Sequence, residues 1–92
     1  MSQHCFECRS NEGYVTVMLG WDEALQWFHM FIGHSIDDDE PLYSNLYERN
    51  PDLLELEYFQ WVLDRFGIKD ISLRPNTTGL YETLMLDCEM GR

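Results

Sequence analysis

Tyr14-Val15-Thr16-Val17-Met18-Leu19, closed by Gly20-Trp21-Asp22, and then Trp27-Phe28-His29-Met30-Phe31-Ile32, closed by Gly33, are the runs on which the fold class turns. The first is rich in β-branched and apolar residues and reads as a strand that Gly20 ends, with Trp21-Asp22 as a corner. The second is a dense aromatic run before a glycine, which suits a buried strand paired with the first. A helix competes for residues 23–32. Glu23, Gln26 and His29 stand at helical spacing, Asp22 is a suitable cap, and Leu25, Phe28, Phe31 and Ile32 would share one buried face. The strand is the reading carried forward.

Working outward, residues 1–12 are polar and read as an N-terminal tail, leaving residues 13–92 as a single domain. On the other side, residues 34–41 read as a turn, because Pro41 and the run Asp37-Asp38-Asp39-Glu40 will not bury. Leu42-Tyr43-Ser44-Asn45-Leu46 suits a short returning strand. A helix then begins at Asn50-Pro51, with Asn as cap, Pro in the first helical position and Asp52 at the positive end of the dipole. Leu56, Phe59, Val62, Leu63 and Phe66 repeat every 3.6 residues and predict its core stripe. Gly67 supplies the stop, and Arg65 suits the C-terminal dipole. Ile68 to Arg74 reads as an extended link and Pro75-Asn76-Thr77-Thr78-Gly79 as a turn. Leu80-Tyr81-Glu82-Thr83-Leu84-Met85-Leu86 reads as a final strand. The predicted class is α+β, a small antiparallel sheet in the chain order β-β-β-α-β with one helix packed on one face.

The chain has 92 residues, with 17 Asp and Glu against 6 Lys and Arg and a formal charge of −11 at pH 7. Apolar residues make up 45% and aromatics 14%, too much core material for a disordered acidic tail. The charge excludes most direct nucleic-acid binders, which need a Lys/Arg surface for phosphates. It also argues against an anionic membrane surface. No apolar run reaches the ~18 residues of a membrane span, and the polar opening Met1-Ser2-Gln3-His4 is not that of a signal peptide. The expected location is the cytoplasm.

Three cysteines, Cys5, Cys8 and Cys88, fit a reducing compartment better than a disulfide framework. His4-Cys5-Phe6-Glu7-Cys8 contains one C-x₂-C, half of what zinc needs. The remaining candidates, Cys88, His29 and His34, are scattered. No catalytic constellation is legible. His4, His29 and His34 sit in no nucleophile motif, and the six glycines form no phosphate-cradling loop. The chain is therefore expected not to be an enzyme and to use no cofactor. Asp37-Asp38-Asp39-Glu40 lacks the alternating oxygens, glycine turn and distant Glu of a calcium loop, so no metal site is assigned there.

The acidic surface is more informative. Asp37, Asp38, Asp39, Glu40, Glu48, Asp52 and Glu55 are the candidate partner-binding residues, with Asp52 and Glu55 as helical neighbours. Carboxylates spaced along a surface can occupy a groove built for phosphates, with salt-sensitive attraction to the partner's Lys and Arg. The competing reading is a solvated face that keeps the protein dispersed. On the helix, Leu54, Tyr58 and Trp61 fall off the core stripe. They form either a wider core or an interface for a homodimer or a larger protein.

Gly20-Trp21-Asp22, then Leu25 and Phe28, then Leu42-Tyr43-Ser44-Asn45-Leu46, resemble a pattern in small, largely uncharacterised proteins carried by phages, plasmids and integrated mobile elements of bacteria. The likeness covers roughly residues 14 to 67, read as a β-rich unit plus helix. It implies a setting in the host bacterial cytosol, where small acidic proteins include anti-CRISPR proteins and other DNA mimics. The expected function is inhibition of a host nucleic-acid-handling defence complex. The partner would be a basic groove of a protein or ribonucleoprotein, with no direct contact to nucleic acid or membrane. A homodimeric interaction module and a zinc-stabilised domain are the alternatives.

Overall fold

The computed structural model describes residues 3–35, 40–50, 53–77 and 79–90. An antiparallel meander of strands β1 (His4–Ser10), β2 (Gly13–Asp22), β3 (Trp27–Gly33) and β4 (Tyr43–Ser44) forms one sheet in sequential order. A 3-10 turn, Asn45–Tyr47, follows β4. Helices α1 (Leu56–Arg65) and α2 (Leu80–Met90) complete the described elements. The class α+β with a small antiparallel sheet is as read from the sequence. The order and the helix count are not.

The structure differs from the sequence reading at four places. Strand β2 runs on through Gly20 and Trp21 to Asp22 rather than ending at the glycine. Residues 4–10 lie within the predicted N-terminal tail, 1–12, but form an edge strand. Phe6 and Cys8 point into the core while Cys5, Glu7 and Arg9 point out, an alternation in which cysteine serves as a small hydrophobe. Leu80 to Leu86, predicted as a strand, is the first part of α2. Its buried residues Leu80, Leu84 and Asp87 recur at helical spacing. The first helix starts later than Asn50-Pro51. The carbonyl of Glu55 accepts the first helical bonds from Tyr58 and Phe59, whereas Asn50 closes a separate turn to Leu53. Glu55 is the N-cap of this helix, and Asp52, expected as its helical neighbour, lies outside the described residues.

Residues 27–33 are a strand, the helix alternative failing because residues 23–26 are spent on a tight turn. Asp22 accepts from the Leu25 and Gln26 backbone N–H groups, and Gln26 takes a positive φ of 57°. The register then sets the sheet's two faces. Phe6, Val17, Ile32 and Tyr43 lie in one row on the inner face, with Cys8 and Val15 in the next row on one side and Leu19 and Met30 on the other. Leu56, Phe59, Val62 and Leu63 from α1 and Leu80 and Leu84 from α2 cluster with them. Each large side chain so buried contributes about 1.5–3 kcal/mol. The predicted α1 stripe is as read, with Phe66 only half-buried.

The C-terminus of α1 is fixed twice. Gly67, at φ +68°, donates to the Asp64 carbonyl and Ile68 to that of Leu63, a Schellman closure with Ile68 and Leu63 both in the core. The tip of the β1–β2 hairpin supplies the remaining donors. Asn11 donates through its backbone to the Phe66 carbonyl at 2.8 Å and through its side chain to that of Arg65 at 3.1 Å. Helix α2 is tied to β1 by His4, whose Nε2 lies 2.7 Å from Oδ2 of the buried Asp87. A buried carboxylate is tolerable only with such a partner.

Candidate functional site

Of the seven carboxylates singled out in the sequence, Asp37, Asp38, Asp39 and Asp52 lie outside the described residues. Glu40 is exposed beside them in the chain. Glu48 is half-buried and accepts a hydrogen bond from the Tyr58 hydroxyl at 2.8 Å, so its oxygen holds the segment after β4 against α1. That acceptor raises the pKa of Tyr58, because the ionised phenolate would face a carboxylate. Burial, with the Glu48 charge second, raises that of Tyr43 further. Glu55 is exposed at the N-cap of α1 and its side chain makes no capping bond.

The described carboxylates do not form one ridge. Glu7 stands on the outer sheet face, Glu82 and Glu89 are exposed on α2, and Glu55, Glu57 and Asp64 are exposed on or at the start of α1. What distinguishes the last group is its setting. These three line a cleft of about 730 Å³ between α1, the Leu73–Pro75 segment and α2. Its apolar surfaces come from Phe28, Leu56, Trp61, Leu73, Tyr81 and Met85. A volume of this order holds a peptide side chain or a small ligand.

Trp61 stands at the rim, 52% exposed, and also lines a shallower groove with Leu53 and Tyr58. Its ring lies 5.6 Å from that of Tyr58, and the Arg65 guanidinium lies 5.0 Å over it. Such a ring is held in orientation yet open to solvent. The apolar group Leu54, Tyr58 and Trp61 therefore divides: Leu54 and Tyr58 pack against the core, and Trp61 faces out.

Gln60 organises the cleft floor. It is buried on α1, accepts the Leu73 backbone N–H at 2.6 Å through Oε1, and donates to Asp64 Oδ1 at 2.8 Å through Nε2. The other oxygen, Oδ2, accepts from Arg74 Nη2 at 3.1 Å. Neither Glu57 nor Asp64 is among the candidate partner-binding residues read from the sequence. Glu57, Trp61 and Asp64 nevertheless stand at i, i+4 and i+7 on the side of α1 away from its core stripe, a spacing visible without coordinates.

The zinc reading meets a geometric obstacle. Cys5 and Cys8 are three apart on a strand and point to opposite faces, one exposed and one buried. His4 is engaged by Asp87. Among the described residues no group of three His, Cys, Asp or Glu is placed to hold a metal. Burial, with the Asp70 charge second, pushes the Cys8 thiol up and away from the thiolate that a metal requires. No helix among the described residues is long and apolar enough to cross a membrane. In comparisons with known proteins, no family model, no curated protein and no solved structure matches this chain.

Proposed function

We propose that this chain is a non-enzymatic acidic binding protein. It docks through the exposed side of α1 on a basic groove of a nucleic-acid-handling host complex and inhibits it, in the manner of a DNA mimic or anti-CRISPR protein. The observation that carries the reading is Trp61, half-exposed at the mouth of a cleft whose rim bears Glu55, Glu57 and Asp64. Tryptophan is enriched among the residues that anchor protein interfaces. The carboxylates choose a Lys/Arg surface as the partner and speed the encounter, and the net charge of −11 repels nucleic acid itself. The ion pairs His4–Asp87 and Arg74–Asp64 consume neither Glu55 nor Glu57.

The test is capture from bacterial lysate on immobilised protein at low and high salt, with duplex DNA as competitor and mass spectrometry as readout. Nucleic-acid-handling proteins are expected, released by salt and by DNA and lost with Trp61→Ala and with Glu55→Gln/Glu57→Gln. The proposal fails if the same proteins are retained by these variants, or if none of those captured handles nucleic acid.

A further inference from the structure

We propose that the cleft between α1 and α2 takes an arginine side chain from an extended segment of the partner protein, and that Arg74 is the chain's own occupant of that subsite in the free state. The inference rests on the binding role proposed for α1 and names the chemistry recognised there. Asp64 is the anchor. Gln60 fixes its Oδ1 at 2.8 Å, leaving Oδ2 presented to the Arg74 guanidinium at 3.1 Å. The pair sits in water, with side-chain exposures of 59% and 48%, so little opposes its exchange. An arginine entering the cleft would lay its aliphatic stem along Trp61 and Tyr81, where apolar surface already lines the space. Its planar fork would reach Asp64, with Glu55 and Glu57 adding charge at the rim. Charge complementarity selects this occupant: among the described lining residues, three exposed carboxylates stand against one weakly held cation, Arg74, while Arg65 lies over Trp61 at the rim.

The experiment measures binding of a fluorescein-labelled, otherwise neutral peptide carrying one arginine in a leucine-serine sequence. A second peptide replaces that arginine with citrulline, which keeps the shape and removes the charge. The arginine peptide is expected to bind about tenfold more tightly than the citrulline peptide, the loss typical of one charge-assisted contact. Glu55→Gln/Glu57→Gln should weaken it severalfold. Arg74→Ala should tighten it, because the resident guanidinium is gone. Lys69→Ala makes the same change in net charge outside the cleft and should leave the affinity unchanged. The inference is overturned if neither peptide binds, if citrulline binds as well as arginine, or if Arg74→Ala and Lys69→Ala act alike. Those failures would leave the lysate capture free to succeed, and the reverse also holds.

Discussion

Gln60 is a polar side chain on the core side of a helix, and its burial is intelligible only through its three bonds. Oε1 takes the Leu73 N–H and, at 3.4 Å, the Ser72 hydroxyl, while Nε2 donates to Asp64. The Leu73 N–H is buried with its residue, so removing its acceptor strands a donor away from water. Gln60→Leu keeps the volume and is expected to destabilise the protein by about 1–3 kcal/mol, read as a lower urea midpoint at unchanged slope. It should also loosen the Leu73–Pro75 wall of the cleft and abolish the difference between arginine and citrulline peptides. An unchanged urea midpoint would show that water satisfies Leu73. Nothing in the sequence marks this residue, since a glutamine inside an apolar stripe looks like an interruption of it.

At the scale of elements, legibility followed the kind of residue that fills the core. Strands β2 and β3 and the stripe of α1 are built on Val, Ile, Leu and Phe, whose periodicity is plain. Strand β1 hides because its inward positions are His4, Phe6 and Cys8, and histidine needs Asp87 beneath it to be tolerated there. Helix α2 hides for the opposite reason. It carries exposed apolar residues, Leu86 and Met90, and buries a carboxylate, so its apolar pattern does not single out the buried side. The cleft walls belong partly to α2, through Tyr81 and Met85, so the sequence shows Trp61 but not the cleft it borders. The edge of β1 carries a prediction of its own. The Arg9 N–H, on the unpaired side of the strand, donates to Asp70 Oδ2 at 2.8 Å, and this contact occupies one place where another strand would add. Asp70→Ala is expected to increase self-association, seen as a concentration-dependent shift in size-exclusion elution. A strictly monomeric variant would mean that the edge is protected by other means.

For the molecule as a whole, the decisive balance is between a small apolar core and a formal charge of −11. Ten of the thirteen described carboxylates are exposed, so their mutual repulsion acts mainly through solvent and is open to screening. Raising the salt from about 0.01 M to about 1 M shortens the screening length from roughly 30 Å to 3 Å and should raise the melting temperature. The pH profile should bend on its alkaline side. Cys8, Tyr58 and Tyr43 all hold their protons more firmly folded than their ordinary values of 9.0 and 10.0, through burial at Cys8 and Tyr43 and foremost through the Glu48 contact at Tyr58. A group whose folded value is raised contributes stability in full below its unfolded value and loses it as pH climbs through the folded one. The melting temperature should therefore hold to about pH 8.5 and fall above it, more steeply beyond about 10 as the phenols join the thiol. Tyr58→Phe removes one of these groups and should make the fall shallower. A profile that is flat from pH 8 to 11, or unaltered in the variant, would show that the Glu48–Tyr58 link does not hold α1 to the segment after β4. Helix α1 would then be held by its apolar stripe, by the Asn11 bonds at its C-terminus and by the Gln60–Leu73 contact.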